Sequence, residues 1–194
     1  MALVGAITAP FVYAETPVSL EFGYLNTNHD NYGSGFMWGV TVKGEQRLTF
    51  GVSVRLYENS IEWETEIDDN GEPVIFWYEE KYRISSISPY AYFSLFKGDP
   101  VNQIMIGAGP QVHFVTAEKL FIRERFSQQV RESRLGFGAL VRYERRIEMF
   151  AQLFFVAEAY YSYMEGTFLK IDNYQPPLES VNMTGFVLGL GYPL

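Results

Sequence analysis

Residues 134–163, RLGFGALVRYERRIEMFAQLFFVAEAYYSY, decide the fold. Leu135, Phe137, Ala139, Val141 and Tyr143 alternate with Arg134, Gly136, Gly138 and Arg142, and Leu140 is the one bulky apolar residue in the second set. After the charged stretch 144–148, ERRIE, the alternation resumes: Leu153, Phe155, Ala157, Ala159 and Tyr161 against Gln152, Glu158 and Ser162. A period of two places successive side chains on opposite faces of a strand. In a soluble sheet the bulky set would form a shared core. Here one face is small or charged and the other large and apolar. The first reads as the crowded inside of a narrow barrel, the second as an outer wall against lipid.

The same pattern recurs on both sides of this stretch. Leu20, Phe22 and Tyr24 alternate with Ser19, Glu21 and Gly23 over 18–25, and Phe36, Trp38, Val40 and Val42 with Met37, Gly39, Thr41 and Lys43 over 35–43. Over 47–57, Leu48, Phe50, Val52, Val54 and Leu56 alternate with Arg47, Thr49, Gly51, Ser53 and Arg55. Further strands are expected over 83–96 and over 103–115, where Gly107, Gly109, Gln111 and His113 form the inward set. The last is expected over 181–194, where Gly185, Val187, Gly189 and Gly191 face in. With the opening stretch this makes eight strands. The intervening segments alternate long and short: 26–34, Gly44-Glu45, 58–81, 97–100, 116–133, 144–148 and 163–180. Long external loops and short periplasmic turns are the habit of outer-membrane barrels. Segment 58–81 carries Asn70-Gly71 at its centre and alternates Glu62, Glu64 and Glu66 with Ile61, Trp63 and Thr65, so it is expected to be a protruding β-hairpin.

A chain of 194 residues with a net charge of −8 fits one domain and excludes a nucleic-acid partner, which needs a basic surface. No cysteine is present, so there is neither a disulfide framework nor a thiolate metal site, and two isolated histidines, His29 and His113, do not make a metal site either. No cofactor is expected. There is no apolar run of transmembrane-helix length, a test that a barrel escapes because only alternate residues are apolar. Residues 1–14, MALVGAITAPFVYA, are apolar with small residues near the end and are expected to be a signal-peptide remnant, leaving 15–194 as a single barrel domain.

GAGPQVHF in the fifth strand, LFFVAEAYYSY in the seventh and the terminal GFVLGLGYPL resemble the small eight-stranded outer-membrane β-barrel proteins of the OmpA and OmpX type. The resemblance covers 17–194 and implies an all-β, eight-stranded antiparallel up-and-down transmembrane barrel in a bacterial outer membrane. It also implies that function resides in the external loops, in adhesion, binding or envelope integrity. The partners it implies are outer-membrane lipid and a surface ligand or a host or envelope protein. Such proteins usually end in an aromatic residue; this chain ends Tyr192-Pro193-Leu194.

Glu21, Lys43, Arg47, Arg55, Arg134, Arg142 and Glu158 fall on the inward register and are expected to pair in a charge network that plugs the lumen. A proton or ion path is the alternative. Glu158 is expected to pair with Arg134 on the neighbouring strand or with Arg55 across the lumen. Trp63, Phe76, Trp77 and Tyr78 are candidates for external binding, with cross-strand stabilisation of the hairpin as the alternative. Tyr57, Tyr143, Tyr161, Tyr163, Tyr192 and Trp38 are expected at the membrane interfaces. Segment 58–81 is acidic and 116–133 carries Lys119, Arg123, Arg125 and Arg131, so the two are expected to attract each other. Two other functions stand beside surface binding. A lipid A-modifying enzyme would need His113 or His29 beside a serine in catalytic geometry, and a soluble lipocalin-like carrier would need a ligand pocket in the lumen.

Overall fold

The computed structural model describes residues 16–28, 33–44, 47–69, 72–95, 101–121, 126–147, 153–166 and 180–193. Residues 1–14, His29 and Gln152 lie outside them. Eight strands form, β1 (Pro17–Thr27), β2 (Ser34–Lys43), β3 (Leu48–Asp69), β4 (Glu72–Ser94), β5 (Asn102–Phe121), β6 (Phe126–Arg146), β7 (Phe154–Met164) and β8 (Val181–Pro193). Each pairs antiparallel with its chain neighbours, and β1 closes onto β8 from Pro17↔Pro193 to Thr27↔Met183. Closure follows from the alternation. An open edge within hydrocarbon would leave backbone polar groups unbonded, so a sheet with an apolar outer face is stable there only as a ring.

The in/out assignment read from the sequence holds in every strand for which it was made, except at Arg47, which precedes β3 and is exposed. Phe22, Phe36, Phe50, Val52, Leu135, Phe137, Phe186 and Leu190 are exposed on the outer wall, and Ser19, Glu21, Thr41, Ser53, Gln111, His113 and Glu158 are buried in the lumen. Trp38, Tyr161, Tyr163 and Tyr192 stand on the outer wall as expected, but Tyr57 does not. It is 2 % exposed and faces inward, two residues beyond Arg55 on the same face.

Two further expectations need correction. The inside is not only glycine and charge. Tyr90 and Tyr92 on β4 and Phe154, Val156 and Tyr160 on β7 also point in, as do Leu25, Met37, Tyr82, Ile84, Val115, Met164, Val181 and Met183 toward the external mouth. Glycines on neighbouring strands make room for the rings. A Cβ on Gly185, the register partner of Tyr160, would sit 2.1 Å from that ring's Cε1. The second correction concerns length. Segment 58–81 pairs as the hairpin expected of it, and 116–133, read as a loop, is paired strand as well over its described residues. β3 and β4 continue unbroken to Asp69↔Glu72, and β5 and β6 to Phe121↔Phe126. Their many polar residues resemble loop composition, while the backbone keeps the strand pattern. Similarly, β6 continues through Glu144 to Arg146, residues read from sequence as a turn.

Val52 sits at 44 % exposure on β3 between Val42 of β2 and Pro89 of β4. Val52→Arg is expected to destabilise the barrel by about 2–4 kcal/mol in lipid, measured by denaturant unfolding in liposomes. A midpoint equal to wild type would place this wall away from lipid.

Candidate functional site

Two regions carry functional groups: the ionic centre of the lumen and the sheet that stands outside the barrel. In the lumen, strand parity aims Glu21 (β1), Lys43 (β2), Arg55 (β3), Arg142 and Glu144 (β6) and Glu158 (β7) at one another, all of them buried. Arg142 is the hub. Its Nη1 donates to Glu21 Oε1 at 2.5 Å and Glu158 Oε2 at 3.1 Å, its Nε to Glu144 Oε1 at 2.7 Å, and its Nη2 to Ser19 Oγ at 2.7 Å. Arg55 Nη2 donates to Glu158 and lies 3.5 Å from Glu21 Oε2. Lys43 Nζ is 3.1 Å from Glu144 Oε2. Three cations thus meet three carboxylates. Neutrality is what makes burial tolerable, since an unpaired charge in a low-dielectric interior is strongly unfavourable. The Arg55 guanidinium also lies over the Tyr160 ring at 4.5 Å, a cation–π contact that packs the network against the aromatic layer.

Of the seven charges expected in this network, Glu21, Lys43, Arg55, Arg142 and Glu158 belong to it and two do not. Arg47 precedes β3, is exposed, and covers the Phe93 ring at 5.0 Å. Arg134 sits higher on β6, half-buried, and pairs with Glu132 of its own strand at 2.7 Å. The partners of Glu158 are therefore Arg55, as expected, and Arg142, its direct register partner, in place of Arg134. Glu144 was missed. The signal was its place two residues beyond Arg142, on the same face of the strand. Ser19 was assigned inward but not recognised as a ligand of Arg142.

His113 has Ser86 Oγ 2.7 Å from its Nδ1, and both face the lumen. Nearby, Arg55, Ser86, Gln111, Tyr160 and Ser162 help to line a cavity of ≈ 20 Å³, room for about one water molecule and not for a carrier's ligand.

Outside the barrel, β3–β6 form a four-stranded sheet. β4 and β5 remain paired as far as Tyr78↔Phe121, which joins the two protruding hairpins through a backbone ladder as well as through charge. Glu80 faces Lys119 and Lys81 faces Glu118 in that register, so opposite charges stand across the joint as expected. Glu58 and Arg83 form a pair at 3.0 Å near its base. Glu79 is held below the usual carboxylate range by the Ser60 hydroxyl that donates to it, with Lys81 3.3 Å away adding to the effect. Backbone register sets Trp63 opposite Tyr78, Glu64 opposite Trp77 and Thr65 opposite Phe76; the side chains of these four aromatics lie outside the described part. Among the described residues, β3 has no strand partner on its β2 side above Tyr57, and β6 has none on its β7 side above Gly136.

No protein-family model matches the chain, and no curated protein matches its sequence. Solved structures do. Neisserial surface protein A (NspA) superposes with a TM-score of 0.60 at 13% identity, covering 93% of this chain and 97% of that one. A major outer membrane protein from Thermus thermophilus superposes with a TM-score of 0.56 at 14% identity, covering 92% and 99%. This is the fold of a small outer-membrane β-barrel. That fold and the chain's own belt of exposed apolar residues together place the protein in a bacterial outer membrane.

Removing one partner of a buried pair strands the other charge, so Glu158→Ala is expected to destabilise the barrel by about 3–5 kcal/mol. Double-mutant cycles with Arg55→Met and Arg142→Met, followed by unfolding in detergent, should show coupling to both arginines and none to Arg134→Met. Coupling to Arg134 alone would contradict the network.

Proposed function

We propose that this protein is a surface-binding protein whose external sheet captures partners, in adhesion or in attaching proteins to the envelope. The observation that supports it is strand length. β3, β4, β5 and β6 run to 22, 23, 20 and 21 residues, while β1, β2, β7 and β8 have 11, 10, 11 and 13. About ten residues suffice to cross the hydrocarbon. Among the described residues the surplus is ordered sheet whose β3 and β6 edges have no strand partner, and an open edge accepts an added strand through main-chain hydrogen bonds.

Charge narrows the partner. Residues 58–81 contain nine carboxylates and one lysine, a net of −8, which equals the net charge of the whole chain. The rest of the protein is therefore balanced, and the acidic excess is confined to one external hairpin. Such a field favours and steers a cationic, extended polypeptide. The lipid A-modifying reading has less to support it. The Ser86–His113 pair faces a filled lumen, where a lipid ester would have to displace the packed interior.

Replacing residues 60–81 by Asn-Gly joins Asn59 to its register partner Tyr82 and shortens the hairpin to the barrel rim. The shortened protein is expected to keep heat-modifiable gel migration. Cells displaying the intact protein should bind immobilised polylysine, with binding falling as salt rises, and cells displaying the shortened protein should not. Equal binding by both forms would remove the hairpin from the binding site.

A further inference from the structure

The β4–β5 ladder is interrupted within the membrane belt. Pairing runs from Tyr78↔Phe121 to Ile87↔Val112 and resumes at Ala91↔Ala108, leaving Ser88, Pro89 and Tyr90 unpaired with Gly109, Pro110 and Gln111. Continuing the register sets Pro89 directly opposite Pro110. Alternate positions of an antiparallel ladder exchange two N–H···O bonds, and proline has no N–H. Two prolines facing each other at such a position remove both donors at once, and the pairings on either side are lost with them. The other ladders of these residues are intact: Val52↔Pro89 toward β3 and Pro110↔Phe137 toward β6. The break is thus confined to one seam. The strands stay in close contact there: a Cβ on Gly109 would sit 1.9 Å from the Pro89 carbonyl oxygen, as one on Gly23 would sit 2.0 Å from the Phe186 oxygen in the intact β1–β8 ladder. Only glycine, offering a Cα–H to that oxygen, fits.

Side chains hold the seam from the lumen. Gln111 Nε2 donates to Ser88 Oγ at 3.0 Å and to the Tyr90 hydroxyl at 2.7 Å, and Gln111 Oε1 accepts from Ser162. One glutamine of β5 therefore spans the residues of β4 that the backbone fails to join. On the lipid side, Phe50, Val52, Pro89, Ala91, Ala108 and Pro110 help to line a groove of ≈ 620 Å³ running over the same break. Hydrocarbon is what the bilayer presents to that groove.

We propose that the β4–β5 seam is a lateral opening in the barrel wall, latched by Gln111, and that its ligand class is a lipid acyl chain from the outer groove, seated between the parted strands and not in the filled lumen. Elsewhere in the belt, separating two strands breaks a continuous ladder. Here it breaks side-chain hydrogen bonds whose hydroxyl partners can turn to one another, and the groove supplies the chain that fills the gap.

The chain has no cysteine, so single thiols report cleanly. Ser88 and Thr41 are both buried in the lumen, and Thr41 is paired on both sides, with Ser19 and with Ser53. In liposomes, a maleimide carried at the end of a lipid acyl chain should label Ser88→Cys at least about tenfold faster than Thr41→Cys, as local opening of one joint requires. Adding Gln111→Leu should raise the Ser88→Cys rate. Adding Pro89→Val with Pro110→Val, which restores both donors, should lower it to the Thr41→Cys level. Equal rates at the two thiols, or a Ser88→Cys rate unchanged by the restored donors, overturn the proposal. Should Gln111→Leu fail to fold, the proline replacements, which return the two missing N–H donors, decide alone.

Discussion

Everything in this molecule follows from the requirement that backbone N–H and C=O groups inside a bilayer be bonded within the chain. That requirement closes β1 onto β8. Closure at eight strands fixes a lumen that side chains can fill. Filling it with charge is then possible only in balanced sets, which is what Arg55, Arg142 and Lys43 form with Glu21, Glu144 and Glu158. The same rule explains where it is relaxed. Among the described residues, β3 lacks a strand partner on its β2 side above Tyr57, and β6 on its β7 side above Gly136, where water can bond the backbone.

The lumen divides into layers with different chemistry. An ionic centre lies against the Tyr90, Tyr92 and Tyr160 rings, and an apolar cap of Leu25, Ile84, Val115, Met164, Val181 and Met183 lies toward the external mouth. The cap keeps water from competing for the ionic contacts below it. Those contacts are stronger for its presence, because charge pairs gain from a low local dielectric. A conducting path would have to pass both layers, and their packing favours a plug.

Alternation made the fold legible, because one face of every strand must be apolar and a one-residue slip would invert it. It also placed Glu158 and Arg55 on the correct side of the wall. It could not place them in height. Arg134 and Arg142 share a face of β6, and choosing between them as partners of Glu158 needs the β6–β7 register, which depends on how many residues form the turn. Reading 144–148 as that turn hid Glu144 and left Arg134 as the nearer candidate. The first protruding hairpin was legible from Asn70-Gly71 and the alternation over Ile61–Glu66, whereas 116–133 offers no such turn signal and its polar composition reads as a loop. The proline break between β4 and β5 is likewise a matter of register. Pro89 and Pro110 are ordinary in sequence and become unusual only when set opposite each other.

The height of the β3–β4 hairpin has a consequence for the membrane itself. Its tip stands roughly 30 Å beyond the rim at about 3.3 Å per residue, allowing for tilt. The Debye length at physiological ionic strength is about 8 Å. The outermost carboxylates are therefore several screening lengths from the lipid headgroups, and the remainder of the chain carries no net charge. The phosphates of the bilayer scarcely feel those outermost charges, and the barrel's seat in the membrane does not depend on them. Evolution can recharge this hairpin, even reverse its sign, and change what the surface attracts without disturbing how the barrel is held.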